Sequence, residues 1–128
     1  MRVNKSTAVL IVDAIEPSLP FWQKSLGFER PVEVPLGNSL GFVILTNGAI
    51  EVMYQTVASV ATEMPSIVQD WHRDKSHLYV DVDDIEAVAA ALDGFEIVLP
   101  KRKTFYGAIE VGFREPGGHF ITFAQAQN

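Results

Sequence analysis

Cysteine is absent from all 128 residues, which removes disulfides, a thiolate nucleophile and every cysteine metal site from consideration. Charge is sparse: only 20% of residues carry it, and Asp plus Glu outnumber Lys plus Arg by 16 to 10. The longest basic block is Lys101-Arg102-Lys103, so the chain lacks the cationic surplus that a nucleic-acid backbone requires, and no nucleic-acid partner is expected. Apolar runs are strand-sized, well short of the roughly 20 residues of a membrane span. The charged opening Met1 to Thr7 offers no secretory leader core. The expectation is a cytoplasmic protein with no membrane partner. No Gly-rich phosphate loop, no His-Glu-x-x-His and no Ser-His-Asp arrangement is expected, and no catalytic residue is assigned.

What the chain does contain is a repeat. Val12, Asp13, Ile15 and Glu16 recur 70 positions later as Val82, Asp83, Ile85 and Glu86, and each copy is followed by a helix-like stretch ending in Gly-Phe-Glu. Two copies are too few for a solenoid. They predict one domain over 1–128, made of two halves (about 7–55 and 77–125) joined by a 56–76 connector, each half too small to bury its sheet alone.

Within the first half, Thr7 to Val12 reads as a buried strand. Asp13 and Glu16 have capping-box spacing, and Pro17 opens a predicted helix to Leu26, stopped by Gly27. Strands follow at about Phe28–Val34, Leu40–Thr46 and Ala49–Gln55, with Asn47-Gly48 as a hairpin turn. The second half repeats the plan: strand His77–Val82, a helix capped at Asp83-Asp84 and running through Leu92, then strands Phe95–Leu99, Ala108–Arg114 and His119–Ala124. Pro116-Gly117-Gly118 is a turn, which predicts an exposed ring for His119. The connector has an amphipathic piece broken near Pro65, with Trp71 and His72 at its end. It reads as a helical linker or a lid, with His72 on a surface. Trp22 and Phe113 are expected in the core.

The paired βαβββ halves, the Phe21-Trp22…Leu26-Gly27-Phe28 segment and the Glu115-Pro116-Gly117-Gly118-His119 phrase resemble the vicinal oxygen chelate superfamily, over about Ala8 to Gln125. That group includes glyoxalase I, extradiol dioxygenases, fosfomycin resistance proteins and bleomycin resistance proteins. The resemblance implies an α+β fold in which two βαβββ modules form a cupped eight-stranded mixed sheet, and it implies a homodimer. It also implies a divalent metal in catalytic members, held from the first and fourth strands of each half. Those positions fall here on Thr7, Glu51, His77 and Thr122, and the repeat agrees, since Thr7 plus 70 is His77.

Two of these four are threonines, whose neutral hydroxyls are poor donors for a divalent ion. No metal or other cofactor is therefore favoured; if one binds, Glu51 and His77 are its ligands. Strand alternation puts Val9, Met53, Tyr79 and Phe120 on the face that carries the four. The expected ligand-binding set is Thr7, Glu51, Met53, His77, Tyr79, Phe105, Tyr106, Phe120 and Thr122, with Phe105 and Tyr106 stacking on a flat ligand. The function this implies is similar to the bleomycin-resistance branch: metal-independent sequestration of an organic ligand, cationic or planar. The alternative is a metal-dependent lyase, isomerase or dioxygenase in which Glu51 and His77 are completed by water or substrate oxygens.

Overall fold

The computed structural model describes residues 1–2, 4–69, 71 and 76–127; the expectation for His72 lies outside them. The first half holds β1 (Ala8–Val12), a 3-10 turn (Glu16–Ser18), a π-helical segment (Pro20–Ser25), β2 (Glu29–Leu36), β3 (Ser39–Asn47) and β4 (Ile50–Thr56). Two short helices, α1 (Val57–Glu63) and α2 (Pro65–Gln69), occupy the connector. The second half holds β5 (His77–Asp81), α3 (Ile85–Ala91), β6 (Glu96–Lys103), β7 (Ala108–Arg114) and β8 (Phe120–Ala126). The eight strands divide into two four-stranded sheets with the same order, β1-β4-β3-β2 and β5-β8-β7-β6. In each, the first strand runs parallel to the fourth and the remaining pairings are antiparallel. Among the described residues no helix is long and apolar enough to cross a membrane.

The first helix departs from its expected form for a backbone reason. Pro17 and Pro20 each lack an N–H, and Pro20 cannot donate to Glu16 as a continuous α ladder requires. The chain instead makes a tight turn, with Ser18 N donating to Ile15 O at 2.9 Å, and then a wider π-type segment. Phe28 N closes it onto Trp22 O at 2.9 Å, across Gly27 at φ +72°. The capping box also fails. The turn's N-cap is Ile15, with no side-chain cap, and the Glu16 carboxylate accepts the backbone N–H of Leu40 at 2.8 Å. That bond holds the Glu16 carboxyl below its ordinary value. The second-half prediction fares better: the Asp84 side chain caps α3 through Ala87 N at 3.1 Å.

The core is shared between the halves. Phe21 and Trp22 are fully buried, and Phe21 meets Phe95, Phe113 and Phe123 of the second half at ring separations of 5.2 to 6.4 Å. A polar staple runs through the same region. Glu115 is 1% exposed and its carboxylate accepts four donors: Ser18 Oγ (2.7 Å), Tyr54 OH (2.9 Å), Gly117 N (2.9 Å) and His119 N (2.6 Å). Trp22 Nε1 in turn donates to Tyr54 OH at 2.8 Å. Burial, then the neighbouring Glu115 charge, pushes the Tyr54 phenol well up, so it keeps the proton it donates.

His119 corrects the expectation of an exposed turn ring, being 2% exposed. Its Nε2 lies 2.7 Å from the Ile11 carbonyl, which can only accept, so Nε2 carries the proton and Nδ1 receives the Ser76 hydroxyl. One ring thereby ties β1 of the first half to the approach to β5. The Glu-Pro-Gly-Gly-His phrase is the clasp between the halves.

Candidate functional site

Strand register gives each sheet a core face and an outer face, and the two outer faces differ in chemistry. On the first sheet one cross-strand row reads Val9, Met53, Ile44, Val32 and the next Ile11, Gln55, Phe42, Val34. Val9, Val32 and Val34 are 47%, 40% and 49% exposed, so this apolar face is largely uncovered. On the second sheet the rows read His77, Phe120, Arg114; Tyr79, Thr122, Gly112; and Asp81, Ala124, Glu110, Arg102. That face is polar and aromatic.

The four positions of the metal-binding pattern form two couples on separate sheets. Thr7 Oγ1 donates to Glu51 Oε1 at 3.0 Å, and Lys5 Nζ sits 2.9 Å from the same oxygen. The Lys5 ammonium first, then the Thr7 hydroxyl, holds the Glu51 carboxyl below its ordinary value. On the second sheet His77 Nε2 lies 2.7 Å from Thr122 Oγ1. One carboxylate, one imidazole and two hydroxyls do not fit a tightly held divalent ion, and the carboxylate already has a cation beside it. Among the described residues no group of three His, Asp or Glu side chains is gathered as a metal set.

The remaining residues of the expected ligand set take two positions. Met53 lies half-buried in the apolar row, and Phe120 is half-buried beneath Arg114, whose guanidinium stands 4.4 Å above its ring. Tyr79, Phe105 and Tyr106 are exposed, Phe105 almost entirely, and Phe105 meets Tyr106 edge-on at 5.0 Å.

Two members of this face escaped the sequence reading. Glu110 is 2% exposed. Its Oε2 accepts the hydroxyls of Tyr79 (3.1 Å) and Tyr106 (3.0 Å), which themselves lie 3.1 Å apart. Its Oε1 accepts from Arg102 Nε at 2.9 Å and a terminal Arg102 nitrogen at 2.7 Å. Burial alone would raise this carboxyl, but the bonds from Arg102, Tyr106 and Tyr79 outweigh it and hold it below its ordinary value. The Tyr79 phenol is raised, by Tyr106 first, then by burial and by Glu110. The signal available in the sequence was a Glu at the centre of an apolar strand, Ile109-Glu110-Val111, which demands partners once buried.

Gly37-Asn38-Ser39-Leu40-Gly41 has the spacing of a nucleophile elbow, but Ser39 opens β3 directly after the β2–β3 turn and is exposed. A nucleophile elbow needs a strand-to-helix turn, so the match carries no chemistry here.

Among the described residues, three cavities bear on the site. One, of about 390 Å³, lies between the β2–β3 hairpin and α1 and is lined by Val34, Leu36, Phe42, Gln55 and Glu63 among others. α1 is therefore a wall of this groove. A second, about 260 Å³, runs between Leu26, Phe28 and Ile50 of the first half and Val80, Val88 and Phe123 of the second; a third of about 140 Å³ lies beside Pro17 and Pro116. None of the three is lined by Glu51 or His77.

Solved structures share this fold. A glyoxalase/bleomycin resistance protein/dioxygenase family enzyme from Burkholderia phytofirmans PsJN is 17% identical, covering 94% of this chain and 97% of its own, with a TM-score of 0.76. A lactoylglutathione lyase from Agrobacterium tumefaciens is 15% identical (98% and 95% covered, TM-score 0.75). TnmS3, an antibiotic binding protein from Streptomyces sp. CB03234, is 17% identical (99% and 100% covered, TM-score 0.66). No curated protein sequence matches the chain. The family profile of the glyoxalase/bleomycin resistance protein/dioxygenase superfamily matches residues 6–123, and the chain belongs to that superfamily.

Proposed function

We propose that this protein binds a planar organic ligand without a resident metal, in a cup completed by a second copy of the chain. The observation that carries the reading is the state of the four pattern positions. Glu51 is satisfied by Thr7 and Lys5, and His77 is paired with Thr122. Such a set leaves the outer faces suited to hold a molecule by burial and stacking rather than to polarise one through an ion. That TnmS3 is an antibiotic binding protein is consistent with this reading, at an identity that speaks for the fold alone.

Complementarity of the two outer faces supports the second copy. An uncovered apolar face on one sheet and a polar, aromatic face on the other form a two-sided pocket when a twofold axis sets the first sheet of one chain against the second sheet of its partner. The exposed Val9, Val32 and Val34 would then be covered. Calorimetric screening of planar antibiotics against chelator-treated protein, with a sedimentation measurement on the same sample, tests both parts. Saturable binding by a dimer is expected. A monomer that binds nothing while turning over a substrate on addition of a divalent ion would overturn the proposal.

A further inference from the structure

The Glu110 cluster fixes which atoms Tyr79 and Tyr106 can offer to a ligand. A phenol has one hydrogen and two lone pairs, and an ionised carboxylate only accepts. Tyr79 and Tyr106 both lie within bonding reach of Glu110 Oε2 and of each other. However the three edges of that triangle are drawn, both phenolic hydrogens are spent inside it. What remains on the two phenol oxygens is lone pairs, and the contact between them lies at an exposed position. Arg102 spends two nitrogens on Glu110 Oε1. Its charge offsets that of Glu110, and its three remaining N–H groups lie on a side chain that is 58% exposed, beside the phenols, so the acceptor character belongs to the two phenol oxygens themselves. The rings of Tyr79, Tyr106 and Phe105 are more than half exposed, and their faces favour cations.

We infer that the Tyr79–Tyr106–Glu110 triangle is an acceptor-only recognition element, which selects planar organic cations bearing N–H donors and discriminates against anions and acceptor-only rings. Glu110 acts as a positioning residue, since it touches the two phenols and not the ligand. The inference rests on the proposed ligand-binding role of this face and deepens it by naming the ligand class.

Three probes of one shape test it by calorimetry on the full chain at pH 7.5: 9-aminoacridine, a planar cation with N–H donors; acridine, neutral with only an acceptor nitrogen; and acridine-9-carboxylate, an anion. The cation is expected to bind about tenfold or more tightly than either of the others. The Tyr79→Phe/Tyr106→Phe double variant removes both acceptor oxygens at exposed positions while keeping the rings, and should reduce that preference to about threefold or less. Glu110→Gln should also lower it, but by strengthening the binding of acridine. Its amide supplies hydrogens of its own, which frees a phenolic hydrogen to face outward, and acridine gains relative to the wild type. Should Glu110→Gln fail to fold, the tyrosine pair carries the test alone. Equal binding of all three probes, or tighter binding of the anion, overturns the inference and leaves the ligand-binding reading standing. No binding by any acridine overturns both.

Discussion

Removing the Glu115 carboxylate should unclasp the two halves. In Glu115→Ala, Tyr54 OH, Gly117 N and His119 N lose their acceptor together, and Ser18 Oγ must find another. A hydrogen bond to a charged acceptor is worth about 1.5–3 kcal/mol, and an orphaned buried donor costs about 1–3 kcal/mol. Those figures do not add across one carboxylate, because the donors share it and relax together. Orphaning three buried neutral donors at once, with that relaxation, is expected to cost roughly 3–5 kcal/mol. Set against a total stability of about 5–15 kcal/mol, it is a large fraction. At roughly 4 °C per kcal/mol for a chain of this size, the melting temperature should fall by about 12–20 °C. Glu115→Gln keeps one acceptor oxygen but turns an amide NH2 toward donors, so it should fall between wild type and Glu115→Ala. Urea unfolding of wild type, Glu115→Ala, Tyr54→Phe and the double variant closes the cycle. Because Tyr54 and Glu115 touch, the double variant should cost clearly less than the sum of the two singles. A Glu115→Ala cost below about 1 kcal/mol, or strict additivity with Tyr54→Phe, would refute the clasp.

Glu110 has a signature in pH. Its folded carboxyl is lowered from 4.5, so its contribution is fully present above the ordinary carboxylate range and is lost as pH falls through the lowered value. The gap in melting temperature between wild type and Glu110→Gln should be widest near neutrality and close on acidification below that range; a gap that widens in acid contradicts the assignment. At Gly117 a Cβ would stand 2.7 Å from Val12 Cγ1 and 2.8 Å from Ser18 Oγ, so Gly117→Ala should cost about 1–3 kcal/mol by denaturant titration. Finally, Thr7→His combined with Thr122→Glu supplies the missing strong donors. If the four positions converge across a dimer, this variant should retain one divalent ion per site after dialysis where the wild type retains none; an empty variant would show that they never meet.

Local pattern carried most of the strand layout. Period-two alternation and turn residues such as Asn47-Gly48 placed seven of the strands within about two residues of their observed ends. β6 instead runs on to Lys103, past the predicted end at Leu99, because Arg102 and Lys103 pair with Glu110 and Ile109 across the β6–β7 hairpin. The first helix was misread because two prolines three residues apart satisfy helix-start rules individually while jointly interrupting the ladder. His119 was misread for the opposite reason. Its Gly-rich neighbours describe the turn correctly, but its burial is decided by Ile11, 108 residues away. Strand alternation is local and puts Thr7, Glu51, His77 and Thr122 on outer faces, but it does not give the couples: the sequence suggests Glu51 with His77, whereas Thr7 pairs with Glu51 and His77 with Thr122. It did not reach Glu110 or Arg102, whose place at the site depends on Tyr79 and Tyr106 turning toward them.

The central claim is a binding face that works without an ion. Titrating 9-aminoacridine into untagged protein before and after exhaustive chelation, with elemental analysis of both samples, puts it to the test in one measurement. The account predicts unchanged affinity and no stoichiometric divalent ion in either sample. A stoichiometric ion whose removal abolishes binding, and whose return restores it, would contradict the account.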